Sequence, residues 1–519
     1  MNTANFLTIP AAILPDQEIM VFEGQRHTYQ ETIVRVRRLA AALSGLGVSK
    51  GDRIGVLDTN SSRYVEAYFA SSMLGAVFVP LNYRAKAQEL EYMITTAGAR
   101  MLMVGDRYAS LVSDLRHRLP GVSEYVALQS SQPGMASFEE LIAQACEDGD
   151  EAEVNEEDVN ILLYTSGTTG RPKGVMLTYG DFFAYVCGNT ELADGTPRGG
   201  ALLCVPLYHI AGITSLMTSF FTGRTLVMLR QFEPSEWLAA VQRERITHAF
   251  LVPTMLKRVL DHPEFGRYSC TTLEVLAYGA APMPLPVIRR AIDMFPATVG
   301  FVNAFGQTET TATVTMLLPE DHRLEGTAQE VERKLRRLSS TGRPLPDVEV
   351  RIVDAQGVEV KRGEIGEVTV RTSRLMKGYL SPGDATAQTM VNGWLHTRDL
   401  GWMDEEGYLY LSGRADDLII RGGENISPAE VETVLQSHPA IEEAVIIGVP
   451  DEDWGEQVMA VVVLRAGSTL TAEEVIDWCR QRLASFKKPD RVEFVTELPR
   501  NPLGKVLRKD LREKFKRPD

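Results

Sequence analysis

The stretch YTSGTTGRPKG, Tyr164 to Gly174, concentrates three glycines, four Ser/Thr hydroxyls and one lysine in eleven positions. Successive backbone N–H groups of such a turn, around Gly167 and Gly170, can converge on an anion. The hydroxyls of Thr165, Ser166, Thr168 and Thr169 add donors that can follow a polyphosphate as it shifts, and Lys173 adds a mobile positive charge. A Walker loop carries glycine directly before its lysine; here Pro172 precedes Lys173 and Gly174 follows it, which disfavours a conventional P-loop. Taken alone, the stretch would also read as a flexible surface loop.

Four further stretches are chemically odd for core segments. In NAFGQTET, Asn303 to Thr310, an aromatic ring suited to stacking on a purine (Phe305) stands beside hydroxyls and a carboxylate, Glu309, that could ligate a phosphate-bridging Mg²⁺. In GWLHTRDLGWMDEEGYLYLSGRADDLII, a predicted hairpin would bring Asp399 and Arg414 back to one cleft. There a carboxylate suits two neighbouring hydroxyls and a guanidinium suits sugar or phosphate oxygens. In RGGENISPAEVE, Gly422 and Gly423 make a turn before a helix opened by Ser427 and Pro428. In PRNPLGKVLRK, Lys505 follows a Pro/Gly turn.

These residues need elements to hold them. VNILL before the first loop and GVMLT after it read as strands, as do RIGVLDTN (53–60), AVFVPLN (76–82) and MLMVGD (101–106). VEAYFASSMLG (65–75) and EELIAQACED (139–148) read as helices, and the alternation predicts an α/β domain on largely parallel sheets. From about Thr341 short strands with Gly turns predict a small antiparallel or barrel-like segment, and after Arg414 a compact α+β unit begins. The expected division is residues 1–413 (341–413 being the barrel-like part), a hinge at 414–418, and a smaller domain at 419–519. The charged stretch EDHRLEGTAQEVERKLRRLSS (320–340) is expected to be a solvated helix.

Composition bounds the function. A chain of 519 residues with 44% apolar content builds two or more domains. Its net charge of −15 argues against general nucleic-acid binding and for small-molecule work. The five cysteines are odd in number and lack a CxxC pair, so they read as small buried hydrophobes in a reducing compartment. No apolar run approaches the ~18 residues a membrane span needs, and the N-terminus lacks a basic signal-like start, so a cytoplasmic location is expected. Ser485 to Asp519 carries eleven Lys/Arg against six Asp/Glu, a basic end on an acidic chain, in which Lys487, Lys488 and Arg491 could meet an acceptor's phosphates.

Together, in this order and spacing, the five motifs resemble the adenylate-forming superfamily, specifically its acyl-CoA synthetases or carboxylate:CoA ligases, over essentially the whole chain. The resemblance implies a large N-terminal domain of two packed α/β sheets with a barrel-like part, and a smaller mobile α+β domain. It implies ATP, Mg²⁺ and coenzyme A as cofactors or substrates. The Thr165–Lys173 loop would hold the β and γ phosphates. Ala280, Ala281, Pro282, Asn303, Ala304, Phe305 and Gly306 would border adenine and its nucleotide, although the family often has Tyr where Phe305 stands. Thr308 would touch the α-phosphate, Glu309 and Thr165 would face the metal, and Asp399 would bind the ribose with Arg414 nearby. Lys505 would reach both the carboxylate and the α-phosphate as the first step proceeds. Asp416 would be the hinge, Gly422 and Gly423 would line the pantetheine path, and Lys487 and Lys488 would meet CoA.

In CVPLYHIAGITS the resemblance makes His209 the gate of an acyl pocket lined by Tyr208, Ile213, Tyr278 and Gly279. General-base catalysis by His209 is not required, because a carboxylic acid is already ionised at neutral pH. An α-amino acid would need an anion beside its ammonium, and YHIAGIT contains none, which favours an uncharged fatty, alicyclic or aryl tail. The expected reaction joins a carboxylic acid to AMP and then to the thiol of CoA. The alternatives are an acyl-AMP ligase loading a carrier protein, a luciferase-like oxygenase on the same adenylate, and a catalytically silent nucleotide binder. A homodimer is left open.

Overall fold

Short β-branched runs alternating with capped helices build two large sheets. A computed structural model of the chain describes residues 1–146, 151–165, 172–380, 384–421, 424–451, 454–501 and 504–515, and every count below refers to these. One sheet has eight strands, running from Gly378–Tyr379 through Lys173–Thr178, Val159–Thr165, Val77–Pro80, Arg53–Leu57, Met101–Val104 and Glu124–Ala127 to Ala136–Ser137. Its last six are parallel, and Lys173–Thr178 pairs antiparallel on both sides. The second sheet has nine strands and a parallel centre formed by Thr225–Met228, Gly200–Leu203, His248–Leu251, Val275–Gly279 and Gly300–Gln307.

One continuous apolar core holds the inner faces of both sheets together with helices Tyr29–Gly45, Ser62–Met73, Tyr179–Asn189 and Ile210–Thr222, so these helices lie between the sheets. Ser62–Met73 is buried at every residue except Arg63, as a helix enclosed on all sides must be. Local sequence sets the helix starts: Thr28 with Glu31, and Thr178 with Asp181, form reciprocal capping boxes, and Ser61 accepts from the Tyr64 amide.

The barrel-like segment is a five-stranded antiparallel sheet around Val314, Val348, Ile352, Val368, Val370, Met403 and Leu409. After it, alternate residues of Ile441–Asp451 and Gly455–Leu464 enter two separate cores. Ile446, Val458 and Ala460 pack with helices Pro428–Gln436 and Ala472–Arg480, while Val445, Ile447 and Val461 pack with Arg508–Phe515. A strand pattern apolar on both faces is what a sheet covered on both sides requires.

Several expectations need correction. The charged stretch 320–340 is not one solvated helix: it splits into Pro319–His322 and Ala328–Arg337, and Asp321 and His322 are buried. Cys146 and Cys187 are exposed, whereas Cys204, Cys270 and Cys479 are buried as expected. The helix read at 139–148 spans Phe138–Gln144, capped by Ser137. Ser427 occupies the cap position of Pro428–Gln436, but its hydroxyl donates to the Ser412 carbonyl instead of capping, tying the last sheet to the barrel-like one.

Candidate active site

The carboxyl ends of the parallel strands are where loops from several elements can converge. Lys173 and Thr165 are cross-strand partners at the loop end of the hairpin Val159–Thr165/Lys173–Thr178. Ser166, Gly167, Thr168, Thr169 and Gly170, between them, lie outside the described residues, as do Gly422 and Gly423. The short strand Gly378–Tyr379 pairs with this hairpin, with Tyr379 opposite Val175. This register sets the Tyr379 ring 5.0 Å from the Lys173 ammonium. The Tyr379 hydroxyl donates to Glu309 Oε1 at 2.9 Å, and burial, then the neighbouring Glu309 charge, raise the phenol's pKa. Tyr379 therefore joins the loop lysine to the carboxylate of the second motif.

Glu309 sits in a single 3₁₀ turn, Thr308–Thr310, at the end of Gly300–Gln307. The next two residues, Thr311 and Ala312, have φ of 47° and 79°, a left-handed pair unfavourable for residues with a Cβ. The fully buried Arg374 holds this bend, donating to the carbonyls of Thr310 (2.8 Å) and Thr313 (2.7 Å) while pairing with Asp347. The Met376 amide donates to the Glu309 carbonyl at 2.9 Å, so the segment leading to Tyr379 is anchored at the same place. Gly306 is required here because a Cβ on it would lie 1.7 Å from the Ala312 carbonyl oxygen.

The opposite wall comes from the barrel-like sheet. Asp399 and Arg414 are direct cross-strand partners and form an ion pair at 2.7 Å. Gln307, from the same motif as Glu309, donates through Nε2 to Asp399 Oδ2 at 2.7 Å and to the Thr397 carbonyl at 3.0 Å. Burial pushes the Asp399 carboxyl above its usual range, against the opposing pull of Arg414 and Gln307.

Lys505 approaches this wall from the last sheet. It is solvent-accessible at the cleft mouth, yet protein crowds around it: desolvation first, then the Arg414 guanidinium, lower its pKa, with Asp399 and Asp417 pulling the other way. Among the described residues no carboxylate forms an ion pair with its ammonium. Asp416 lies in the turn Ala415–Asp417 and pairs with Arg398 at 2.8 Å.

Ala280, at φ 65°, and Pro282 are exposed beside the end of Val275–Gly279. Gly279 is required by close approach, since a Cβ would lie 2.1 Å from the Ala304 carbonyl oxygen on the adjacent strand. Asn303 is turned inward and donates to the Ser340 carbonyl at 3.1 Å, and Phe305 is half-buried against the barrel-like core. Ala304, Gly306, Thr308 and Ala281 are all half-exposed along this edge.

His209 precedes the helix Ile210–Thr222, its ring centroid 4.2 Å from that of Tyr208. Burial, then the charge of Arg84, hold its pKa down to about 3, so its imidazole is neutral at physiological pH. His209 Nε2 and the Tyr208 hydroxyl are buried with no hydrogen-bond partner among the described residues. Ile213 is fully buried, and Tyr278 donates to His322 Nε2 at 2.8 Å. Lys487 pairs with Glu430 at 2.7 Å and Lys488 lies 3.7 Å from Asp490. Near them Phe486 and Trp454 stand exposed, with Arg421 5.5 Å over the Trp454 ring.

Tyr379, Gln307 and Arg374 were missed by sequence reasoning. Gln307 stood inside a motif already singled out, and RLMKGYL, which carries Arg374 and Tyr379, was a legible run left unread.

The sequence profile of the AMP-binding enzyme family matches residues 9–380, and that of the AMP-binding enzyme C-terminal domain matches 430–505. The chain belongs to this family of adenylate-forming enzymes. It is 36% identical over 501 residues to a feruloyl-CoA synthase of Amycolatopsis sp, covering 95% of this chain and 94% of that one. It is 34% identical over 505 residues to the fatty acid–[acyl-carrier-protein] ligase ScoC of Streptomyces coeruleorubidus, with 96% and 94% covered. The solved o-succinylbenzoate CoA synthetase of Bacillus subtilis, in complex with its acyl-adenylate intermediate, aligns with a TM-score of 0.83 at 32% identity, covering 98% of each chain. No helix among the described residues is long and apolar enough to cross a membrane.

Proposed function

We infer that the protein is an AMP-forming acid–CoA ligase: a carboxylate attacks the α-phosphorus of ATP, pyrophosphate leaves, and the thiol of CoA then displaces AMP from the acyl-adenylate. The observation that carries this reading is the convergence of Lys173, Tyr379 and Glu309 on one wall with Asp399, Arg414 and Lys505 on the other. A mere nucleotide binder has no need of the last. Two anions must meet in the first step, so positive groups aimed at the α-phosphate lower its barrier.

In this reading the loop from Thr165 to Lys173 grips the outer phosphates. Ala280, Ala281, Pro282 and Asn303 to Gly306 border adenine, Thr308 bonds the α-phosphate, and Asp399 takes the ribose hydroxyls with Arg414 holding it in place. Glu309 suits a divalent ion that draws most of its ligands from phosphate and water: one of its oxygens is engaged by Tyr379, and no group of three or more metal-ligating side chains occurs among the described residues. Bound there, Mg²⁺ would neutralise phosphate charge. The acid lies near Tyr208, His209, Ile213, Tyr278 and Gly279, where the neutral imidazole shapes the pocket without moving a proton. Residues 1–413 and 419–519 act as two bodies hinged at 414–418 around Asp416, and Lys505 withdraws before the thiol arrives. Lys487 and Lys488, beside exposed Phe486 and Trp454, suit the phosphates and adenine of CoA. The protein works as a cytoplasmic enzyme on small molecules.

The likeness to ScoC supports one alternative acceptor, a carrier-protein thiol. AMP formation from ATP, Mg²⁺ and a panel of carboxylic acids, with and without CoA, tests the reading. Acid-dependent AMP release stimulated by CoA is expected; release that ignores CoA favours the carrier, and none with any acid refutes ligation.

A further inference from the structure

Lys505 can serve adenylation only if the body that carries it is seated correctly, and the helix Pro253–Leu260 offers a seat. Thr254 and Lys257 lie three residues apart, hence on one face of this helix, and both are half-exposed while Met255, Leu256, Val259 and Leu260 are buried in the main core. Thr254 lies against Gly504, the residue immediately before Lys505: a Cβ on Gly504 would fall 2.2 Å from the Thr254 hydroxyl. Gly504 is also at φ 75°, so the lysine loop needs glycine there both for its turn and for this approach.

One turn along the same face, Lys257 pairs with Glu442, on the strand Ile441–Asp451, at 2.6 Å. It completes a row of alternating charge: Arg290 with Asp261, Asp261 with Lys257 at 2.8 Å, Lys257 with Glu442, and Glu442 with Arg465 at 3.1 Å. Among the described residues, Lys257–Glu442 is the only ion pair joining residues before 414 to residues after 418.

We propose that Thr254 and Lys257 are positioning residues that seat the C-terminal body for adenylation, Thr254 by receiving the bare backbone at Gly504 and Lys257 by holding Glu442. This rests on the two-step reading above. Neither residue touches the reacting groups; both act through Lys505, and both contacts must break when Lys505 withdraws. A half-exposed pair suits that purpose, being strong enough to bias an orientation and weak enough to release it.

The experiment measures the steps separately in the full-length protein: pyrophosphate release without thiol, and thioester formation from supplied acyl-adenylate and CoA. Thr254→Phe, which wedges the seat, is expected to slow the first by about 10²-fold, the usual cost of a misplacement near 1 Å. Lys257→Ala is expected to slow it about two- to fivefold. Both should leave the second step within about twofold, and Lys257→Ala/Glu442→Ala should cost no more than either single change, because the pair acts as a unit. Equal losses in both steps, or an unaltered first step, would overturn the proposal. Spin labels at Arg267→Cys and Glu473→Cys, in a Cys146→Ser/Cys187→Ser background, give a readout independent of activity. The variants should reduce the population at the shortest interlabel distance, and an unchanged distribution counts against the seat. If the unmodified protein makes no adenylate yet the distances shift as stated, the ligase reading fails while the seat stands.

Discussion

The wall of Gln307, Asp399 and Arg414 and the loop bearing Lys505 lie beside each other at one cleft, and they are built on opposite terms. On the wall every charged group is satisfied within the protein: Asp399 has Arg414 and Gln307, set by strand register and a motif turn. On the loop the ammonium has no carboxylate partner among the described residues, and its surroundings disfavour its charge. Groups that hold a ligand's shape can be locked in advance, whereas a group that must meet charge developing in the reaction works best when nothing else competes for it.

The largest effect should therefore come from the unsatisfied side. Lys505→Ala should lower acyl-adenylate formation by about 10²-fold or more, with thioester formation from supplied adenylate unaffected; near-normal pyrophosphate release would remove Lys505 from the mechanism. Alkali removes the same charge. Because the pKa of Lys505 lies below lysine's ordinary 10.5, its ammonium loses its proton earlier than a free lysine does. kcat/KM for ATP, which reports the free enzyme, should fall on the alkaline side with a midpoint below 10.5. Lys505→Arg, whose charge persists, should lack that limb whatever its absolute rate. An identical alkaline limb in both proteins would assign it to another group.

On the satisfied side, losses should appear in binding. Asp399→Ala removes the carboxylate proposed to take the ribose and leaves Arg414 without its partner, so KM for ATP should rise about tenfold, in the range of a hydrogen bond to a charged group. kcat should change little, and an unchanged KM would place the sugar elsewhere. Between the two regions, Asp416→Pro fixes φ in the connecting turn and removes the pair with Arg398. Thioester formation should slow several-fold with adenylation retained, whereas parallel loss of both would indicate unfolding.

Periodicity and motif spacing made the alternating α/β body, the antiparallel segment after Thr341 and the Asp399/Arg414 hairpin readable, because each depends on local pattern. Contacts between distant segments were less accessible. Tyr379 matters through its register with Lys173–Thr178, a pairing between residues about two hundred positions apart. Arg374 reads as an ordinary surface arginine until the left-handed pair Thr311–Ala312 supplies the carbonyls it satisfies. The charged stretch 320–340 misled for the same reason: His322 is buried because Tyr278 gives its ring a hydrogen bond, and Asp321 because Tyr408 and Arg337 meet its carboxylate.

Tyr379 stands between the two regimes, and its removal should have the smallest effect. Tyr379→Phe keeps the ring beside Lys173 but deletes the hydrogen bond to the Glu309 carboxylate, and at this half-exposed site the loss should not exceed about tenfold, the low end for a bond to a charged group. Two outcomes compete. If the hydroxyl orients the carboxylate for a metal, its loss costs preorganisation and the Mg²⁺ concentration for half-maximal adenylation rises. If it occupies an oxygen the metal needs, the same change lowers that concentration. Only one Glu309 oxygen is engaged by Tyr379, which leaves the other available, so orientation should win and the requirement should rise. Tyr379→Leu, which also strips the ring from Lys173, should then add a loss in ATP affinity that Tyr379→Phe does not share. A fall in the Mg²⁺ requirement of Tyr379→Phe would instead class the phenol with the locked groups of the wall.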